Sequence, residues 1–250
     1  LKSEGEDKMG RAHEVRKAAM EKTAAVKSKL YAKFGKEIYM AAKTGGPDPD
    51  SNLNLKRIIE RAKQNQVPGD VIKRNIEKTK SGVGEDYTPV RYEGFGPGGC
   101  TLIVECLTDN VNRTFGEVRS CFTKTGSSLG VLNSVSYLYK YCSYISFSGL
   151  TEDEALEALM ENECEVENIE SDEDIVMVTG APGDLDHIIE SLKSVGKELE
   201  FYSDSVIWLP SSKIDLDEDN LKRFNHFLAM TDEIDDVQEI YHNVNLLEEE

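Results

Sequence analysis

The sequence predicts an α+β fold, with a basic helical bundle at the front of the chain and ferredoxin-like α+β modules behind it. Three observations carry that prediction. From residue 12 to residue 43 apolar residues recur at helical spacing with no Pro and a single Gly, Gly35. After Asp86 the pattern changes to short apolar runs alternating with amphipathic segments, in groups that read β-α-β-β-α-β. The charge divides at the same place. Residues 9–80 hold 17 Lys/Arg against 8 Asp/Glu, a net of +9, whereas everything after Lys80 holds 10 against 36, a net of −26.

Taken in order, Val15, Ala18, Ala19, Val26, Leu30, Phe34, Ile38 and Ala42 fall three, four or seven apart and form one apolar stripe. Arg16, Lys17, Lys22, Lys27, Lys29, Lys33 and Lys36 fall largely outside it. Gly35 predicts a break or bend, and Gly45-Gly46-Pro47 ends the helix. A second helix is expected over 51–64, capped by Asp50 or Ser51 and burying Leu55, Ile58, Ile59 and Ala62. A third starts at Pro68, with Asp70 favourable to its dipole and Val71, Ile72 and Ile76 in the core. Residues 81–85 read as a linker.

Beyond it, strands are expected over 101–107, 135–139 and 144–147, and Asp109-Asn110 caps a helix to about Lys124. Thr151 and Glu154 form a capping box for an acidic helix over 151–162. A hairpin over 165–169 and 174–179, a helix over 182–195, a strand over 198–209, a helix over 218–231 and a strand over 237–243 complete the series. Residues 246–250 are an acidic tail, and residues 1–8 read as a leader, a cloning remnant or a mis-called start ahead of Met9.

The 250 residues suit two or three compact modules or one large domain, and no apolar run approaches the roughly 20 residues needed to cross a bilayer. With no signal-peptide pattern, a cytoplasmic protein is expected. The five cysteines are odd in number and lack C-x-x-C spacing, and four of them, Cys100, Cys106, Cys121 and Cys142, sit in apolar contexts. They read as small buried hydrophobes of a reducing compartment. His13, His187, His226 and His242 are scattered, so no metal site is expected.

Residues 94–99 match G-x-G-x-x-G, but they precede a strand and contain Pro97. A dinucleotide fingerprint follows a strand and opens a helix, so these glycines read as a tight turn or a close backbone approach, and no cofactor is expected. Asp109-Asn110-Val111-Asn112-Arg113-Thr114 reads as a helix cap from which Arg113 can reach a phosphate. No G-x-S-x-G, P-loop or H-E-x-x-H occurs, and Glu152, Asp153, Glu154 and Glu157 read as a solvated face, so the chain is not expected to be an enzyme. The Lys/Arg stripe is the signal left. Its few aromatics, Tyr31, Phe34 and Tyr39, read as core or flank, which argues against stacking on single-stranded bases.

Several strings together resemble the YebC/PmpR family, and more specifically its YeeN-like branch. They are Met9-Gly10-Arg11-Ala12-His13-Glu14-Val15-Arg16, Ala41-Ala42-Lys43, Gly45-Gly46-Pro47-Asp48-Pro49, Tyr92 to Gly99, Thr108 to Thr114 and Asp235 to Asn243. The resemblance runs from about Met9 to Asn245. It implies a helical domain over 9–84, a discontinuous α+β domain over 85–142 and 204–246, and an inserted α+β domain over 143–203. It also implies no cofactor, and a regulator that acts on DNA in transcription or, in other members, on translation at the ribosome. The G-H-S-x-W-x-x-I-x-x-x-K opening of the main branch is replaced here by Arg11-Ala12-His13-Glu14-Val15-Arg16.

The resulting expectation is a non-enzymatic regulator of gene expression that binds nucleic acid, DNA or RNA. Phosphate contacts are expected from Arg11, His13, Arg16, Lys17, Lys22, Lys27, Lys29, Lys33, Lys36 and Lys43, with Arg113. The alternatives are a ribosome-associated translation factor on ribosomal RNA and, in another class, a scaffold whose acidic modules bind a protein partner. Neither a membrane nor a small-molecule substrate is expected.

Overall fold

The computed structural model describes residues 24–80 and 86–246. The expected leader, the linker over 81–85, the end of the acidic tail and the apolar and basic positions before residue 24 lie outside the described residues. Two antiparallel sheets and their helices make an α+β protein. Contacts group the described chain into two compact units, one of residues 24–135 and 216–242, the other of residues 136–215 and 243–246.

In the first unit α1 (Ala24–Gly45), α2 (Leu53–Gln64) and α3 (Gly69–Lys80) form a three-helix cluster. Phe34, Ile38, Ala41 and Ala42 from α1 pack on Leu55, Ile58, Ile59 and Ala62 from α2, with Val67 and Ile72. The expected break at Gly35 is absent, and α1 runs through it. Glycine serves packing there, because a methyl at Gly35 would lie 2.9 Å from Asn75 Nδ2 on α3. The α2 cap is Asn52 and neither Asp50 nor Ser51. Its Oδ1 accepts from Leu55 N at 3.0 Å, while its Nδ2 donates to Ala41 O and Gly46 O. One buried amide thus satisfies orphan groups at the end of α1 and the start of α2.

The first sheet has the order β3-β1-β2-β8, from β1 (Thr88–Phe95), β2 (Thr101–Thr108), β3 (Ser128–Leu129) and β8 (Val237–His242). The strand β1 was hidden in the sequence by Pro89, Arg91, Glu93 and Gly94, yet all eight of its residues pair with β2. Pro89 is tolerated because β3 reaches only Gly94 and Phe95 on that side, so no ladder bond is asked of it. The glycine-rich turn between β1 and β2 bends at Gly98 and Gly99, with φ of +68° and +79°. One face of the sheet carries α4 (Val111–Lys124) and α7 (Glu218–Asp232), whose Phe122 and Phe227 rings meet edge to face at 4.9 Å.

The second unit is a β-α-β-β-α-β module. It runs β4 (Tyr139–Ser148), α5 (Glu152–Glu161), β5 (Val166–Asp172), β6 (Ile175–Gly180), α6 (Leu185–Lys193) and β7 (Glu200–Pro210), with sheet order β5-β6-β4-β7. Ile145, Phe147, Leu159, Val178, Ile188 and Leu192 form its core. The Thr151–Glu154 capping box is present. The strand expected over 135–139 is instead a 3-10 turn, Ser136–Leu138, leading into β4. The amide of Val135 goes to the buried Glu93 carboxylate at 3.0 Å and so is not available to a neighbouring strand. The first sheet has the same order as the second if the strand equivalent to β6 is moved to the front of the chain as β1.

Candidate nucleic-acid interface

Five of the expected phosphate contacts, Arg11, His13, Arg16, Lys17 and Lys22, lie outside the described residues. The other six each have a partner. Lys27 Nζ donates to Gln66 Oε1 at 3.1 Å. Lys29 Nζ pairs with Asp232 Oδ2 at 2.9 Å and Glu233 Oε1 at 3.0 Å, and also donates to Asp232 O at the end of α7. A cation there meets the negative end of the helix dipole, and the adjoining carboxylates raise the Lys29 pKa. Lys33 pairs with Glu239 on β8, and Lys43 with Asp86.

Lys36 and Arg113 converge on one carboxylate. Asp236 is only 4% exposed. Its Oδ1 lies 2.9 Å from Lys36 Nζ, and its Oδ2 lies 2.6 Å from Arg113 Nη2, 2.7 Å from Thr114 Oγ1 and 2.9 Å from Thr108 Oγ1. Burial alone pushes this carboxyl up, but the bonds from Arg113, Lys36, Thr114 and Thr108 overcome it and hold the group well below the usual carboxylate range. Arg113 also pairs with Asp109 at 2.7 Å. Lys29, Lys33 and Lys36 therefore fasten α1 to α7 and β8, a structural use that the helical stripe did not reveal. Asp236 falls in the string from Asp235 to Asn243 that carries the family resemblance, but nothing there marked it as the partner of Lys36 and Arg113, since the chain around it is acidic throughout.

Other cations face solvent. Lys56 and Lys63 on α2 are exposed and seven residues apart, so they share one face of that helix. Lys73 and Lys80 stand in the same relation on α3, with Arg74 beside them. An open cleft of about 370 Å³ lies between α1 and α3, bordered by Tyr31, Tyr39, Tyr87, Arg74, Asn75 and Lys78. Phe34 and Tyr39 are buried, in line with their reading as core positions, whereas Tyr31 is half-buried. Four of the five cysteines are buried, and burial pushes the Cys100 thiol up to about 11 and that of Cys106 up to about 12. Among the described residues no cluster of His, Cys, Asp and Glu is placed to hold a metal ion, and no helix is long and apolar enough to cross a membrane.

The sequence matches two family models. That of the TACO1/YebC protein N-terminal domain covers residues 11–82, and that of the TACO1/YebC second and third domain covers residues 87–244. A probable transcriptional regulatory protein of Alteromonas mediterranea is 46% identical over 235 residues, covering 94% of this chain and 98% of that protein. One of Pseudoalteromonas atlantica is 47% identical over 235 residues, covering 94% of this chain and 97% of its own. The crystal structure of a conserved hypothetical protein from Aquifex aeolicus is similar with a TM-score of 0.77 at 34% identity, over 91% of this chain and 94% of that one.

Proposed function

This chain belongs to the TACO1/YebC family, and we propose that it is a regulator of gene expression that binds nucleic acid, DNA or RNA, through its helical module and acts by binding, not by catalysis. The observation that carries this reading is the cation surplus on α2 and α3. Lys56, Lys63, Lys73, Arg74 and Lys80 remain exposed after Lys29, Lys33, Lys36 and Lys43 of α1 have been committed to carboxylates of their own unit. Each phosphate such a cation neutralises releases condensed counterion, so binding is electrostatic and salt-sensitive. The acidic remainder of the chain repels polyanion and confines it to this module, and it suits a basic protein partner. Relatives named probable transcriptional regulatory proteins support the regulatory role.

The test is a binding titration of duplex and single-stranded nucleic acid at stepped salt concentrations. With several phosphates engaged, affinity falls by orders of magnitude between about 50 and 200 mM salt. Replacing Lys56, Lys63, Lys73 and Lys80 together by Glu abolishes binding and leaves the fold intact, because none of the four supports the core. Unchanged affinity in that variant removes α2 and α3 from the interface. Co-sedimentation with ribosomes, released by nuclease, assigns the target to ribosomal RNA instead of DNA.

A further inference from the structure

We propose that the cleft between α1 and α3 is a pocket for one unpaired nucleotide, with the base against tyrosine rings and the phosphate at Arg74. The proposal rests on the nucleic-acid reading above and specifies which feature of a strand the helical module takes up.

Tyr31, Gly35 and Tyr39 follow one another four residues apart along α1, so they share the face turned to α3. Arg74, Asn75 and Lys78 supply the facing side, and Tyr87 borders the cleft from the segment entering β1. Gly35 sets the floor, because only a residue without a side chain lets Asn75 come this close to α1. The aromatic wall is ordered before any ligand arrives. Tyr39 is buried and meets Tyr87 edge to face, with centroids 5.8 Å apart and planes at 82°. Lys36 Nζ, itself fixed on Asp236, stands 5.4 Å from the centroid of the Tyr87 ring. Tyr31 and Tyr87 are both half-buried, so each keeps part of its ring accessible.

The chemistry of the lining points to one class of ligand. Among the described residues no carboxylate borders the cleft, although the chain as a whole has a net charge of −18. Lys36 is held by Asp236, and the exposed Arg74 on the facing side is the cation that favours an anion there. Arg74 is exposed at the rim, and its guanidinium can take two phosphate oxygens at once. Asn75 Nδ2 is spent on Val71 O at 2.8 Å, which leaves the amide oxygen to accept from an exocyclic amino group. An anion joined to a flat ring of hydrogen-bonding edges is a nucleotide, and about 370 Å³ lies within the range of small-ligand sites. In a duplex the ring faces are covered by their neighbours, so only an unpaired nucleotide can enter.

The full chain is titrated with a labelled short single strand, with the duplex of the same sequence, and with adenosine monophosphate. Tyr31→Leu keeps the apolar filling and removes the ring. It is expected to weaken single-strand binding about tenfold, as the loss of one base stack does, and to leave duplex affinity within about twofold. Arg74→Gln, at an exposed position, is expected to weaken the single strand and lower its salt slope by about one. The pocket is overturned if both variants bind the single strand as the parent does, or if Tyr31→Leu weakens strand and duplex alike; the nucleic-acid function survives either outcome. A parent protein that binds neither strand nor duplex, yet binds adenosine monophosphate in a Tyr31-dependent way, keeps the pocket and overturns the regulatory reading. Binding of none of the three overturns both.

Discussion

Asp236 shows how much of this protein is decided by single side chains. Its carboxylate receives Lys36 from α1 and Arg113 and Thr114 from α4, and it stands where β8 begins. Removing it strands a largely buried ammonium, so Asp236→Ala is expected to cost about 3–5 kcal/mol in chemical denaturation. The pH dependence has a definite sign. The folded value lies below the unfolded value of 3.8, so the contribution is fully present above that value and is lost as pH falls through the folded one. Glu37 acts in the opposite sense. Burial raises its pKa despite Arg61 and Lys33, so it favours the fold when protonated. The parent is expected to lose stability below about pH 4, and Asp236→Ala to show a flatter acid limb; an unchanged limb would remove Asp236 as its source. None of this was legible beforehand. Asp109 to Thr114 could be read as a helix cap, and Asn110 does accept from Arg113 N at 3.1 Å. The partner of that cap lies more than a hundred residues away in sequence, and local pattern cannot supply it.

Among the elements, α1 was the most legible and also the most misread. Its apolar stripe predicted Phe34, Ile38 and Ala42 in the core, and all three are buried. Gly35 looked like a break because glycine is a poor helix former, yet the helix continues and the residue marks the approach of α3. Gly35→Ala therefore sets two effects against each other. Helix preference favours alanine by about 1 kcal/mol, and the contact with Asn75 opposes it. Net destabilisation of about 1 kcal/mol is expected by thermal or urea unfolding, turning to stabilisation in the Asn75→Ala background. A stabilising Gly35→Ala in the parent would mean that Asn75 yields and that the close approach carries no constraint. The strand β1 escaped detection for a related reason. Its pairing with β2 is complete, and Val90 and Tyr92 do alternate with Arg91 and Glu93, but Pro89 and Gly94 at its two ends leave too short a run to mark a strand. Glu93 is buried among bonds to Arg91 and the Val135 amide, so tertiary partners stand in for hydrophobicity.

At the scale of the whole molecule, both units keep their thiols inside. Cys100, Cys106 and Cys121 are buried in one and Cys142 in the other, while Cys164 is partly exposed beside Ser191. Under native conditions one thiol of the five is expected to react quickly with a thiol reagent, and all five after denaturation. Fast reaction of a second thiol would show that one of the cores opens readily. The charge partition belongs to the same scale. Composition separated a basic front from an acidic remainder, because a sum over many residues does not depend on where each side chain points. Helical periodicity fixed the three-helix cluster, and the alternation of short apolar runs and amphipathic segments fixed the α+β class, because both patterns follow from backbone geometry repeated over a dozen residues or fewer. The tertiary structure alone decided which cations are spent and which remain available. Lys29, Lys33 and Lys36 were outward-facing by period and are bound to carboxylates, while Lys56, Lys63, Lys73 and Lys80 stay exposed. An ion pair is a matter of a few ångströms between residues some two hundred positions apart. Periodicity tells which way a side chain points but not what it meets.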